Sequence, residues 1–127
     1  MRYKTGEYLI DNIKAKTLAN KHLTPLYCYS YKKLKENIQN FKNNFKSINH
    51  LACFAVKANP NKILLREIGK LGFGADVVSV GELMRAISAG IKPNKIVFSG
   101  VGKTSEELKY AIKKKILLIN TESKSEV

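Results

Sequence analysis

Four short apolar runs recur in the second half of the chain, centred near Phe54, Asp76, Val97 and Leu118, at a step of 21 or 22 residues. That step is the size of one strand, one helix and their two short connections. The segments between the runs are helical in pattern. Ser79-x-x-Glu82, Thr104-x-x-Glu107 and Ser123-x-x-Glu126 have the spacing of a capping box, in which hydroxyl and carboxylate satisfy the free amides of a helix start. Pro60 after Asn59 suits a first helical residue after its cap. Gly72 and Gly90 suit the position just past a helix end. Strands alternating with helices at this step predict a parallel sheet with right-handed crossovers.

The first half reads differently. Residues 7–22 are weakly patterned and predict a short strand followed by a helix, which Thr24-Pro25 breaks. LYCY (26–29) is β-prone. Ser30 then caps a helix whose apolar residues, Tyr31, Leu34, Ile38, Phe41 and Phe45, fall on one face at spacings of three and four.

Composition narrows the function. The net charge of +13 raises the possibility of a small basic nucleic-acid-binding module. Yet only three of the cationic residues are arginines (Arg2, Arg66 and Arg85), and Arg is the side chain suited to base edges and bidentate phosphate contacts. The lysines are scattered apart from 113–115, and the aromatics fall at core-like positions rather than as a stacking platform. The charge is therefore read as composition, and no nucleic-acid partner is expected. Cys28 and Cys53 form no CxxC pair, so no metal is expected, and isolated thiols fit a reducing cytoplasm. The N-terminus has no long apolar core of a signal peptide, and no stretch approaches a membrane span, so no membrane partner is expected.

One residue stands out chemically. Lys57 closes the apolar run LACFAVKAN (51–59), directly before an Asn-Pro pair. The run reads as a buried strand, which would hold the lysine at a rim on a rigid element. A partly buried lysine amine loses its proton more readily and attacks carbonyls, so Lys57 is a candidate Schiff-base former. The alternative is a strand-end lysine in solvent.

Five segments together resemble a known family: TPLYCYS (24–30), FAVKANPN (54–61), GFGADVVSVGEL (72–83), IVFSGVGKTSEEL (96–108) and INTESKSEV (119–127). In this order and spacing they are similar to the start of the bacterial diaminopimelate decarboxylases, pyridoxal-phosphate enzymes of the alanine-racemase fold type. Two positions depart from the family pattern: Val80 where Gly is common, and His22-Leu23 where a Tyr-Gly pair is common. The resemblance implies an α/β fold, the N-terminal part of a (β/α)8 TIM-type barrel with about four βα units. Residues 31–127 would be the truncated, cofactor-binding barrel. Residues 1–30, with a strand and helix, would join a second, mainly β domain. Four units cannot close an eight-stranded barrel, which takes about 250 residues. A capping box at Ser123 just before Val127 further suggests an N-terminal piece of a longer protein, inactive by itself.

The resemblance also implies roles. Lys57 matches the lysine that carries pyridoxal 5'-phosphate, at a C-terminal strand end where barrel chemistry sits. Asp76 matches an aspartate near that lysine and the cofactor, where a carboxylate would hold the lysine's charge or steer a proton. Without the resemblance, Asp76 reads equally as a strand-end residue bonding loop amides. Glu82 matches a family position too, but its capping spacing explains it. Asn59 would cap the first helix or hold the lysine's loop. His22 and His50 match no family function and are expected in loops or on the surface. Residues 99–104 lack the spacing of a P-loop and read as a βα turn lining the barrel mouth. The implied reaction is decarboxylation of meso-diaminopimelate to L-lysine and CO2 by a cytoplasmic homodimer. The alternative is a sister decarboxylase acting on ornithine, arginine or carboxynorspermidine.

Overall fold

The computed structural model describes residues 2–4 and 6–127, which fall into two compact units, Met1–Ile48 and Asn49–Val127. In the first, strands β1 (Arg2–Lys4), β2 (Glu7–Ile10) and β3 (Ile13–Lys14) form an antiparallel sheet in that order. Asp11 and Asn12 turn the second hairpin with φ of 48° and 69°, the left-handed pair that a two-residue β-turn requires. Helix α1 (Ala15–His22) follows, and the chain leaves it through a cis Thr24-Pro25 bond. The strand and helix expected over residues 7–22 are both present. LYCY is not a strand: residues 26–30 take no regular structure, because no neighbouring strand is placed to pair with them among the described residues.

Helix α2 (Tyr31–Asn44) starts where the sequence indicates, with Ser30 Oγ accepting from the Lys33 amide at 3.0 Å. Asp11 fixes that cap from outside the helix, accepting from the Ser30 hydroxyl and from the Lys32 amide. Those bonds to the charged form, the Ser30 hydroxyl first, hold the Asp11 carboxyl below its ordinary range. Of the helix's apolar stripe only Ile38 is buried, while Phe41 and Phe45 stack at 4.6 Å and remain partly exposed.

The second unit is a four-stranded parallel sheet, β4 (Cys53–Ala55), β5 (Gly74–Val77), β6 (Ile96–Phe98) and β7 (Leu118–Ile119), ordered as in the sequence. Helices α3 (Lys62–Lys70), α4 (Val80–Ser88) and α5 (Ser105–Lys113) occupy the crossovers. Each recurrent apolar run is thus a strand, and the helix-ending glycines are where expected, Gly72 and Gly90 each at φ 93°. Registers Phe54↔Ala75↔Ile96 and Val77↔Phe98↔Ile119 send alternate side chains to opposite faces. These residues meet Leu65, Leu83, Ala86, Ile91 and Ala111 in one core under the helices. The other face carries Ala55, Asp76, Val97 and Leu118, which are only partly covered or exposed.

Three local expectations need correction. The strand before Lys57 spans only Cys53–Ala55, and the lysine lies in a 3-10 turn over Val56–Ala58. Helix α3 begins two residues later than Pro60: Asn61 is the cap, accepting from the amides of Ile63 (2.9 Å) and Leu64 (3.2 Å). Asn59 instead accepts from the Asn61 amide at 3.0 Å and so shapes the turn ahead of the helix. At Ser123 no box forms; residues Lys124–Glu126 make a 3-10 turn, because the Glu126 carboxylate bonds elsewhere.

Phe98 is fully buried beneath the helices, whereas Tyr27 is 87% exposed. Phe98→Ala should therefore lower stability in urea unfolding by about 3–5 kcal/mol, the cost of an unfilled aromatic site. Tyr27→Ala should change it by no more than about 0.5 kcal/mol.

Candidate active site

All four parallel strands end at the same edge of the sheet, so the turns that follow them share one rim. The turn after β4 carries Lys57, which is exposed. Its backbone is held by the Asn59 amide donating to Val56 O at 3.1 Å, while Val56 itself is fully buried. The burial expected around this lysine is therefore not supplied by residues of this chain. Ala55, two residues before Lys57, is the register partner of Asp76 on β5. Strand order and register thus bring Lys57 and Asp76 to the ends of adjacent strands, although no ion pair joins them.

Asp76 is the chemically unusual member. Its Oδ1 is buried and accepts no hydrogen bond, the sole such side-chain atom among the described residues. Buried carboxylate oxygens are normally paired, so this one is available to a cation or donor that this chain does not supply. The loop-amide alternative is not what this oxygen does. Cys53 lies two residues before Ala55 on β4, opposite Gly74. Burial pushes its thiol pKa up, and the charge of Asp76 adds to the rise, so Cys53 is a neutral thiol rather than a nucleophile.

The rim is braced by side chains whose spacing signalled only helix caps. Ser79 Oγ accepts from the Glu82 amide at 3.3 Å, while Glu82 Oε2 reaches past the cap to the Val78 amide at 2.9 Å. Glu82 is thus a capping residue that also fixes the turn after Asp76. Thr104 and Glu107 form a full capping box. Glu107 Oε1 additionally accepts from the Val80 amide at 3.0 Å, tying the start of α5 to the start of α4. The bonds from Val80 and then Thr104 hold the Glu107 carboxyl below its ordinary value of 4.5.

Residues 99–104 form the turn after β6. Ser99 donates its amide to Val77 O at 2.8 Å and receives a bond from Asn120 Nδ2 at 2.9 Å. Lys103 turns inward, its side chain 1% exposed, and donates to Gly100 O (2.6 Å) and to Glu126 Oε2 (2.9 Å). The Glu126 side chain is 8% exposed, and its pKa is lowered, first by the Glu122 amide and next by Lys103. Sequence spacing gave no hint of this pair, since nothing periodic links position 103 to 126. A cleft of about 230 Å³ lined by Asp11, Ser30, Lys33 and Glu36 contains neither Lys57 nor Asp76. No three His, Cys, Asp or Glu residues are grouped to hold a metal ion, and no helix is long and apolar enough to cross a membrane, among the described residues.

Comparison with known proteins decides the family. Residues 31–127 match the pyridoxal-dependent decarboxylase family, over its pyridoxal binding domain. The chain belongs to that family. It is 45% identical over 127 residues to a diaminopimelate decarboxylase of Aquifex aeolicus, covering 100% of this chain and 30% of the relative. Among solved structures it resembles diaminopimelate decarboxylase of M. jannaschii, with TM-score 0.95 and 39% identity over 98% of this chain and 30% of that one. The Helicobacter pylori enzyme complexed with L-lysine gives TM-score 0.84 and 47% identity over 87% of this chain and 28% of that one. The chain therefore spans about 30% of the length of the curated relatives it matches. The four-stranded parallel sheet is the corresponding part of the decarboxylase barrel.

A pyridoxal-dependent family implies pyridoxal phosphate, and the rim fits it: an exposed lysine able to meet an aldehyde, beside a buried carboxylate oxygen that lacks a partner. Because the pKa of Glu107 is lowered on folding, its stabilisation is present above about pH 4.5 and is lost as pH falls through the depressed folded value. Glu107→Gln should accordingly flatten the acid limb of a stability–pH curve measured by urea unfolding between pH 3 and 6, while lowering stability at pH 7.

Proposed function

We propose that this chain supplies the cofactor-anchoring wall of a pyridoxal-phosphate-dependent decarboxylase that converts meso-2,6-diaminopimelate to L-lysine and CO2. The observation that carries the proposal is the placement of Lys57 and the unpartnered Asp76 oxygen on adjacent strand ends. Likeness to decarboxylases of that specificity over the whole chain supports the substrate, as does L-lysine in the related Helicobacter pylori structure.

Lys57 would hold the cofactor through its side-chain nitrogen, and Asp76 would sit beside it. When bound, pyridoxal phosphate supplies an aldehyde that condenses with amines and a ring that takes up the electron pair left by departing CO2. Lys57 Nζ, carried on its short turn, would also be placed to hold or pass on a proton. Asp76 offers a negative charge that favours the protonated state of a neighbouring nitrogen. The bond between the substrate α-carbon and its carboxylate breaks, CO2 leaves, and one proton takes its place on that carbon. Ala55, Val97 and the exposed Leu118 give that sheet face an apolar floor.

Residues 1–30 are proposed to associate with the second, β domain of the complete protein, a role suited to their antiparallel hairpins. Unpaired Cys28 and Cys53 support a reducing, cytoplasmic setting. A homodimer is the proposed assembly, on family resemblance, and light scattering of the complete protein would test it.

In the complete protein, borohydride reduction followed by peptide mapping should find the cofactor on Lys57; attachment to another lysine would refute the assignment. Lys57→Ala should lower CO2 release by at least about 1,000-fold, within the span of a lost acid–base or nucleophilic group. Asp76→Asn should weaken cofactor binding by about tenfold, equal to about 1.4 kcal/mol. Faster turnover of ornithine or arginine than of meso-diaminopimelate would redirect the substrate assignment to a sister decarboxylase.

A further inference from the structure

The Lys103–Glu126 pair has no part in the chemistry proposed for Lys57 and Asp76, yet it is the most buried ion pair among the described residues. Its members come from two different βα connections. Lys103 ends the turn after β6, and Glu126 lies in the 3-10 turn after β7. Each charge is also anchored to backbone. Lys103 Nζ donates to Gly100 O at 2.6 Å, and Glu126 Oε2 accepts from the Glu122 amide at 2.9 Å. The polarity is therefore fixed by the main chain: a carboxylate at 103 would face a carbonyl, and an ammonium at 126 would face an amide hydrogen. The Lys103 ammonium also lies 6.0 Å from the Phe98 ring centre, so the ring of the core strand is one wall of its site.

The carbonyl that Lys103 grips belongs to a residue in close contact with the site strand. Gly100 has φ 117°, and a side chain there would meet Val78 at 3.1 Å from its Cβ and 3.2 Å from its carbonyl oxygen. The turn after β6 thus lies directly on the turn after β5, two residues beyond Asp76. A second tie, Asn120 to Ser99, holds the base of the same turn.

We propose that Lys103 is a positioning residue: paired with Glu126, it clamps residues 99–104 against Val78 and so fixes the wall of the substrate site beside Asp76. Lys103 acts without touching substrate, since its nitrogen is enclosed by its three partners. Losing the clamp frees the wall, so substrate binding suffers more than the chemical step, whose groups are on β5 and in the turn after β4. The inference rests on the decarboxylase reading, but the clamp itself has a readout independent of activity.

The test uses the complete protein with pyridoxal phosphate bound, comparing wild type with Lys103→Met and Glu126→Gln. Lys103→Met keeps the stem and removes the charge. Glu126→Gln keeps an acceptor oxygen and is the milder change. Amide hydrogen exchange, followed by mass spectrometry, should accelerate at residues 99–104 and 122–126 in Lys103→Met, with little change in β4 and α3. The KM for meso-diaminopimelate should rise about 10- to 100-fold, the scale of a small displacement of a positioning group, while kcat changes by less than about threefold. Glu126→Gln should show the same pattern at smaller amplitude. If Lys103→Met does not fold, Glu126→Gln alone decides the matter by the same two readouts. Unchanged exchange and unchanged KM would overturn the proposal, as would an equal fall in kcat with KM unaltered. If the cofactor fails to map to Lys57 in wild type, the decarboxylase reading fails, while exchange at 99–104 still decides whether the clamp exists.

Discussion

Hydrogen bonding between successive parallel strands is the constraint on which the C-terminal unit depends. Once Ala55 is level with Asp76 and Asp76 with Val97, strand periodicity leaves no freedom about which residues face the helices. Phe54, Ala75, Val77, Ile96 and Phe98 enter the core, and the intervening residues line the opposite face. A shift of one residue in β5 would turn Asp76 toward the aliphatic side chains of the core. The same register aligns the strand ends, so the turns that carry Lys57, Val78 and Gly100 follow neighbouring strand ends.

Close packing reinforces the register. Gly74 admits no side chain, because a Cβ would run into Lys95 O and lie 2.9 Å from Cys53 Sγ. Above the strands, stability passes to polar ties between turns: Glu107 to the Val80 amide, Asn120 to Ser99, and Lys103 to Glu126. Each spans two βα units, so the rim is a connected structure rather than a set of independent loops. Charge-assisted bonds to backbone amides are stronger than neutral ones, which suits them to holding short turns that have little apolar area to bury.

Much of this was legible in the sequence. The 21- to 22-residue step located all four parallel strands, and the Ser30, Ser79 and Thr104 caps were placed correctly, because periodicity and capping are local. Lys57 was marked by its position at the end of an apolar run, and Asp76 by the resemblance to the family. What escaped was either a competition between neighbours or an interaction across units. Asn59 and Asn61 both suit a helix cap, and only the 3-10 turn through Lys57 decides for Asn61. The Ser123 box failed because Glu126 is drawn to Lys103 and the Glu122 amide. LYCY has strand propensity, but propensity without a neighbouring strand makes no sheet. The unpartnered state of Asp76 Oδ1 has no sequence signal at all, since it depends on what surrounds the oxygen.

The rim formed by the ends of β4 and β5 is proposed to anchor the cofactor through Lys57, with Asp76 alongside. A crystal structure of the complete protein grown with pyridoxal phosphate tests it most directly. The account predicts continuous electron density from Lys57 Nζ into the cofactor, at the C-terminal ends of the strands and on the face shared by Ala55 and Asp76, with a donor or cation now paired to Asp76 Oδ1. Cofactor density joined to a different lysine, or lying at the opposite end of the sheet with Asp76 Oδ1 still unpaired, would contradict it.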